Sequence, residues 1–353
     1  MSILFAILLF SLLIFIHELG HFAAAKFSGV QVNEFSMFMG PAIFKKQVGE
    51  TVYSIRCIPI GGFCAMEGED GGSDNPRSFE KAAWWKRLII LAAGAAMNFI
   101  AGVLIFAILY LPGDQVVVPA ISEFMDCCIF NQESGLQLGD EIVEIDGEKI
   151  YTNGDISLIL ELNKTINHDV VVLRDGNKLV FDDLPMAHTH QNEDGSEYLH
   201  YGFAFGQVKT VDLLGKMNFV WNVVVDNVRS VRLSLQMLFN GKAGVQDMSG
   251  PVGIVQMMSE VAEESDTGML AFLNMLSFGG MIALNLAIMN LLPIPALDGG
   301  RIVGVLITTA VEKITHRKID PKYEGYLHGA GMILLLGLMA VIMFKDIFVI
   351  FRG

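Results

Sequence analysis

Four long apolar stretches constrain the fold of this chain more than any other feature of its sequence. They cover residues 1–25, 88–111, 269–292 and 327–350. A helix needs about 20 predominantly apolar residues to cross a bilayer, so each stretch is long enough. Only 18% of the 353 residues are charged, against about a quarter in a typical soluble protein. The pattern predicts a polytopic α-helical membrane protein with about four transmembrane helices in the lipid bilayer.

The first apolar stretch has an alternative interpretation as a signal peptide, because Ala23-Ala24-Ala25 resembles a cleavage site. A signal peptide begins with a basic region, whereas the first basic residue of this chain is Lys26. We therefore interpret the stretch as a retained span.

The charge of the chain is concentrated in one central segment. Residues 113–206 contain 18 acidic and 4 basic side chains, which account for the whole formal net charge of −14. Short apolar runs alternate there with turn sequences, as in a domain of short strands. We predict a mostly-β domain, inserted between the second and third spans and exposed to water. Its acidic character argues against nucleic acid as a partner, because nucleic-acid binding requires basic surface.

Two further segments have recognisable patterns. Residues 30–65 mix β-branched residues with Gly and Pro, which predicts short strands and a β-hairpin within residues 35–60. Apolar residues recur at spacings of three and four over 213–238, which predicts an amphipathic helix. That helix either packs on its own domain or lies on the membrane surface. The four cysteines suggest neither a disulfide framework nor a metal site.

Basic residues predict the orientation of the spans. They cluster between the first and second spans and again between the third and fourth. The positive-inside rule places both of these segments in the cytoplasm. The acidic domain and both termini are then extracytoplasmic. The predicted organisation has four parts: a membrane part with two spans and the β-hairpin at 1–112, the extracytoplasmic domain at 113–206, an amphipathic linker at 207–265, and a membrane part with the last two spans at 266–353.

Residues 17–21 read HELGH, which is an HExxH motif at the end of the first apolar stretch. On a helix, His17 and His21 lie on one face and can bind one zinc ion, and Glu18 can take a proton from zinc-bound water. Ionisable groups in a membrane helix are costly and usually functional. We therefore favour a zinc site over a pair of structural histidines satisfied by their neighbours.

A catalytic zinc site needs a third protein ligand and one open position. Asp298 follows a Pro-x-Pro break after the third apolar stretch, and the predicted topology brings it to the depth of His17. The residues alone leave open whether Asp298 binds metal or only caps the helix that starts near Gly299. His188 and His190, in the acidic domain, are interpreted as ordinary surface histidines.

Several segments together resemble the site-2 protease family of intramembrane zinc metalloproteases, in particular its bacterial members of the RseP type. Residues 290–299 read NLLPIPALDG, which fits that family's NxxPxPxLDG pattern throughout. The resemblance covers nearly the whole chain. Further similar segments are FSMFMGP at 35–41, GAAMN at 94–98 and SGPVGI at 249–254.

The resemblance implies roles for individual residues. His17, His21 and Asp298 would bind Zn²⁺, one ion per chain, and Glu18 would be the catalytic general base. Two residues of the third span would bind substrate, Asn290 and Asn285. The hairpin would be a re-entrant one, associated with the membrane.

The acidic domain is similar to a single PDZ domain. The similarity rests on SGLQLGD at 134–140 and IVEIDG at 142–147. Such a domain would bind a peptide end or screen bulky substrates.

The resemblance implies an intramembrane zinc endopeptidase of the bacterial cytoplasmic (inner) membrane. It would cut single-span membrane proteins within or near their transmembrane segments, in regulated intramembrane proteolysis of anti-sigma factors or in removal of signal-peptide remnants. One alternative is a prenyl-endopeptidase-like membrane metalloprotease, with Glu312 or Glu324 as the third ligand. Another is a non-proteolytic membrane PDZ receptor or scaffold.

Overall fold

A computed structural model of the protein describes residues 2–69, 72–125, 135–191, 197–242, 244, 248–316 and 322–352. Two of the four cysteines, Cys127 and Cys128, lie outside the described residues, and so does Ser134 of the SGLQLGD segment. The chain divides into two compact units. One unit comprises residues 1–105 and 241–353, and the other comprises residues 106–240.

The described residues form eight helices and ten strands. The helices are α1 Ser2–Ser28, α2 Trp84–Tyr110, α3 Asn153–Asn163, α4 Leu213–Phe239, α5 Pro251–Glu263, α6 Gly268–Asn290, α7 Asp298–Thr315 and α8 Lys322–Arg352. The strands are β1 Val32–Val48, β2 Thr51–Met66, β3 Gln115–Phe124, β4 Glu141–Ile145, β5 Glu148–Lys149, β6 Asn167–Arg174, β7 Asn177–Pro185, β8 Ala187–Gln191, β9 Glu197–Tyr201 and β10 Phe203–Thr210.

Four helices in the described part of the chain are long and apolar enough to cross a membrane. They are Leu4–Ser28, Trp84–Tyr110, Gly268–Asn290 and Gly325–Phe348. Their positions agree with the four apolar stretches to within a few residues. The prediction of a membrane protein with four candidate spans is therefore confirmed.

The segment after α1 forms a β-hairpin from β1 and β2, as predicted. The hairpin folds over on itself, because the pairing partner changes along each strand. Residues 32–37 pair with 62–66, residues 35–37 also pair with 53–55, and residues 42–48 pair with 51–56. The chain bends at Gly40 and Gly61, which have φ angles of 84° and 80°, a region that glycine adopts without strain. Residues 62–66 form one edge of this small sheet, and we call them the edge row.

Buried contacts fix α1 along its length. Its C-terminal half packs on the hairpin and α2 in a cluster that includes Met66 and Ile90, both nearly fully buried. Its N-terminal half packs on α5 and α6 in a second cluster, which includes Leu9 and Met258. Lipid is as apolar as these side chains, so van der Waals packing rather than exclusion of water holds such helices together. The helix that carries HExxH is thus held by packing at both ends.

The start of α5 is fastened to α8 by a buried carboxylate. Asp346 accepts hydrogen bonds from the backbone N–H groups of Gly250 and Gly253, each at 2.9 Å. These donors belong to the first turn of α5, where N–H groups have no partner within the helix. Within an apolar helix, Asp346 therefore has a structural explanation.

The second unit is built around an antiparallel sheet in the order β10-β3-β4-β6-β7, with β5 paired to β4. Its core includes Ile121, Ile142, Ile145 and other fully buried aliphatic side chains. The amphipathic helix α4 packs on its own unit, because Arg229 on α4 pairs with the buried Asp155 on α3. The inserted region is therefore β-rich, with two helices added.

Candidate active site

The HELGH segment lies on α1, and the helix turns both histidines to one side. The Nε2 atoms of His17 and His21 are 3.1 Å apart. Oδ2 of Asp298 lies 3.2 Å from Nε2 of His17 and 3.4 Å from Nε2 of His21. Residues 17, 21 and 298 therefore meet at one point, although 277 positions separate the second from the third.

Asp298 reaches this point because the chain turns sharply between α6 and α7. Ala296 has a φ of 82° within that turn, an uncommon conformation for a residue with a side chain. Asp298 is the first residue of α7, and the N-cap position is held by Leu297 without a side-chain hydrogen bond. The alternative role of Asp298 as a simple helix cap is thus not what the structure shows.

A carbonyl group of α2 orients His21. Nδ1 of His21 lies 2.8 Å from the carbonyl oxygen of Ile90, so this nitrogen donates its proton and Nε2 keeps a free lone pair. Metal-binding histidines are commonly oriented in this way. The approach of α1 to α2 requires glycine, because a Cβ on Gly20 would lie 2.7 Å from the carbonyl carbon of Ala93.

Two asparagines lie beside the other nitrogen of His17. Nδ2 of Asn290 on α6 and Nδ2 of Asn98 on α2 are each 3.5 Å from Nδ1 of His17. Asn98 is almost fully buried, and its Oδ1 has no hydrogen-bond partner. Asn285 lies five residues before Asn290, which turns it by about 140° around the helix. Asn285 is half-buried, and no hydrogen bond to this group is described for it.

Glu18 lies on the side of the site that faces the hairpin. A Cβ added to Gly62, in the edge row, would lie 3.5 Å from Cγ of Glu18. Glu312 was an alternative third ligand. It lies 14 residues after Asp298 on α7, which corresponds to about 21 Å along the helix axis. The side chain of Glu324 lies outside the described residues.

The trio fits a zinc ion. Zinc binds imidazole nitrogen and carboxylate oxygen at about 2.0–2.2 Å, so tetrahedral ligand atoms lie about 3.3–3.6 Å apart. The three observed separations are 3.1, 3.2 and 3.4 Å. Oδ2 of Asp298 is buried without a hydrogen-bond partner, which is costly unless a cation satisfies it. In the described part of the chain, His17, His21 and Asp298 form the group of metal-binding side chains whose ligand atoms converge within 4.8 Å.

The HExxH helix and an aspartate from a distant helix meet among apolar spans. This arrangement defines the class of membrane zinc metallopeptidases. Comparison with known proteins agrees. Peptidase family M50 matches residues 5–338, and the chain belongs to this family. It is an intramembrane zinc protease, as the resemblance implied.

Relatives match over the whole chain. A Clostridium perfringens protein, provisionally named a zinc metalloprotease, is 35% identical over 348 residues, which cover 98% of each chain. Zinc metalloprotease RasP of Bacillus licheniformis is 29% identical over 425 aligned residues, with 97% of each chain covered. The regulator of sigma-W protease RasP of Bacillus subtilis is 28% identical over 427 aligned residues, again with 97% of each chain covered.

Sequence reasoning missed three contributors to the site. It noted Asn98 only as part of a similar segment, without a role. Ile90 contributes only its backbone carbonyl, which no side-chain pattern reveals. Gly94 on α2 faces both histidines so closely that a Cβ there would lie 2.7 Å from Cε1 of His17 and 2.8 Å from Cε1 of His21. Two of these positions, Gly94 and Asn98, belong to the GAAMN segment. They are four residues apart, which puts them on one face of a helix, and this spacing was the signal available in the sequence.

Proposed function

We propose that His17, His21 and Asp298 hold one zinc ion and that Glu18 is the general base for peptide hydrolysis within the membrane. The observation that carries this proposal is the convergence of two Nε2 atoms and one Oδ2 atom within 3.4 Å. The side chains of the three residues are 12%, 9% and 16% exposed. Water therefore has limited access to the site.

The residues divide the chemistry between them. A bound zinc ion polarises the scissile carbonyl and lowers the pKa of its water to near 7. Glu18 directly follows His17 on α1; it takes the proton of the attacking water and delivers it to the leaving amide nitrogen. The Ile90 carbonyl keeps the proton of His21 on Nδ1.

Asn98 and Asn290 take different roles beside His17. With Nε2 of His17 committed to metal, its Nδ1 carries the proton and needs an acceptor. The nitrogen and oxygen of an asparagine amide are assigned from the hydrogen-bond network. Turning the Asn98 amide places its unpartnered Oδ1 beside Nδ1 of His17. Asn98 then positions the histidine, and Asn290 remains available to contact substrate backbone. Asn285 keeps its proposed substrate role only from the resemblance.

The edge row supplies a place for an unwound substrate. Residues 62–66 pair with residues 32–37 on one side, and in the described part of the chain no strand pairs with their other side. A substrate segment in extended form would add there as a further strand, since backbone pairing needs no particular sequence. The predicted hairpin ended at residue 60, so the row beside Glu18 lies just past it. The outer part of the hairpin exposes apolar side chains, including Ile43 at 72% and Phe44 at 53%. This exposure supports a re-entrant position in lipid.

Within the second unit, residues 113–206 are proposed to be an extracytoplasmic PDZ domain, followed by the amphipathic linker at 207–265. Support comes from β10, which lies at the edge of its sheet and close to α3. A Cβ on Gly206 would lie 2.9 Å from Nδ2 of Asn153, at one end of α3. The Tyr201 hydroxyl donates to the Leu160 carbonyl at 3.3 Å, near the other end. A peptide end would add as a further strand at the outer edge of β10.

The proposed substrates are single-span proteins of the bacterial cytoplasmic membrane. The Bacillus subtilis relative is named a regulator of sigma-W protease. By analogy, anti-sigma factors are candidate substrates for this chain, and signal-peptide remnants are a second class. The orientation inferred from the basic segments places both termini outside.

The test is cleavage of a tagged single-span substrate by the purified protein, with zinc content measured alongside. Glu18→Gln should lose activity by about 10²–10⁴-fold, the usual contribution of a positioned acid–base group, and keep its zinc. Glu312→Gln is the matched control and should cleave normally. Equal cleavage by Glu18→Gln and the unaltered protein would refute the assignment of Glu18. Retained cleavage without zinc would refute the metal site.

A further inference from the structure

A second group of histidines lies on the hairpin formed by β8 and β9. This two-stranded hairpin is not part of the main sheet of its unit. His188 pairs directly with His200 across the strands, and His190 pairs with Tyr198. The sequence suggested only that His188 and His190 are ordinary surface histidines. The register adds His200, which is distant from them in sequence but opposite in the hairpin.

All three histidines face the same side. Directly opposed residues in an antiparallel pair point to one face, and so do residues two apart on one strand. That face therefore carries His188, His190, His200 and Tyr198 at its four cross-strand positions. The rings of His190 and His200 have centroids 5.4 Å apart. All three histidines are half-buried.

We propose that His188, His190 and His200 form a second metal site, for a divalent transition-metal cation such as Zn²⁺. Imidazole is a preferred ligand of zinc, copper and nickel, and three histidines with one open position are an established zinc ligand set. The Cβ atoms of a directly opposed pair lie about 4.5–5.5 Å apart. As the side chains stand, their ring nitrogens do not converge within 4.8 Å as those of the trio do. Binding would therefore rotate the three side chains toward one ion above the hairpin face.

A bound metal ion would stabilise the hairpin of β8 and β9. A two-stranded hairpin is marginally stable by itself in water. Its base is anchored, because Met186 and Ala187 are buried in the unit. Beyond the base, an ion held by His188 and His190 on β8 and by His200 on β9 would join the two strands. This site shares no residue with the His17, His21 and Asp298 trio, so it does not depend on the function proposed above.

The experiment measures zinc bound per chain in the full-length protein, purified in detergent with a tag that contains no histidine. Zinc is supplied at a buffered low-micromolar free concentration. The background carries His17→Ala and His21→Ala, which removes the trio as a zinc ligand set. We expect one zinc ion per chain in this background and its loss on adding His200→Ala. Thr189→Ala is the matched control, since it lies between two of the histidines on the opposite face of β8, and it should keep the ion.

A second readout covers the case in which a variant misfolds. Carbethoxylation of histidines, followed by mass spectrometry, is measured on the unaltered sequence with and without zinc. Zinc should protect His188, His190 and His200 together and leave His316, at the end of α7, equally reactive. No zinc in the background protein, or zinc uptake unchanged by His200→Ala, would overturn the proposal. Protection of none of the three hairpin histidines would overturn it as well.

Discussion

Gly94→Ala should inactivate the enzyme, although it adds only one methyl group and lies outside both the HELGH segment and the NLLPIPALDG segment. The new Cβ would lie 2.7 Å from Cε1 of His17 and 2.8 Å from Cε1 of His21. Ordinary carbon contacts are about 3.5–4.0 Å, so both imidazoles must retreat by about 1 Å. A misplacement of about 1 Å at a catalytic group costs about 10²-fold in rate. Overpacking of this size costs about 1–3 kcal/mol of stability in addition.

The assay is cleavage of a single-span substrate, with kcat/KM, zinc affinity and thermal unfolding measured on the same preparation. We expect kcat/KM to fall by about 100-fold or more and zinc to bind more weakly, while the protein stays folded. Gly337→Ala on α8 is the control, because a Cβ there meets no atom within 4 Å and alanine favours the helix. Normal cleavage and normal zinc affinity in Gly94→Ala would refute the reasoning that α2 sets the positions of both histidines.

Three further predictions concern the third ligand, the edge row and the second unit. Asp298→Ala should abolish zinc binding whereas Glu312→Ala should preserve it; the reverse result, by zinc analysis, would favour the prenyl-endopeptidase alternative. A proline scan of residues 62–66 should abolish cleavage at the positions whose backbone N–H points away from residues 32–37, and zinc content should stay unchanged. Unchanged cleavage at every position would exclude strand addition at this edge. Arg174→Ala should destabilise the second unit by about 3–5 kcal/mol, because it leaves Asp140, which is 1% exposed, without its ion-pair partner at 2.7 Å. Faster hydrogen exchange in β4 and β6 would report this loss, and unchanged exchange would contradict it.

Features that depend on local sequence were predictable. A span is defined by its own apolar run, and HExxH places His17 and His21 on one face by helical geometry alone. The α4 helix followed from its periodicity, and the structure extends it over Leu213–Phe239. Asp298 was harder, because helix capping and metal binding favour the same residue type in front of glycine. The path of the turn between α6 and α7 brings Asp298 to the two histidines, and no local pattern encodes that path.

Features that depend on register or on backbone groups were not predictable from one sequence. The hairpin of β1 and β2 was expected. It forms four rows of paired residues because each strand changes its pairing partner along its length. His200 could not be grouped with His188 without knowing which residues of β8 and β9 face each other, since a slip of one position would put them on opposite faces. The Ile90 carbonyl leaves no side-chain signal. The Asn98 contact needs the crossing of α1 and α2, which Gly20 permits.

The position of the edge row beside Glu18 addresses the central physical problem of cutting a transmembrane helix. In lipid, every backbone N–H and C=O must be satisfied within the protein, and each unsatisfied group costs several kcal/mol. A helix that unwinds to expose one peptide bond breaks several such bonds at once. On the function proposed above, residues 62–66 would offer the unwound segment replacement partners. Gly62 in this row lies within contact distance of Glu18, the proposed general base. The proposed strand addition would thus give the β-hairpin of this membrane enzyme a role in holding its substrate. Substrates whose helices contain Gly, Pro or polar residues should be cut fastest, because fewer or weaker bonds must be exchanged.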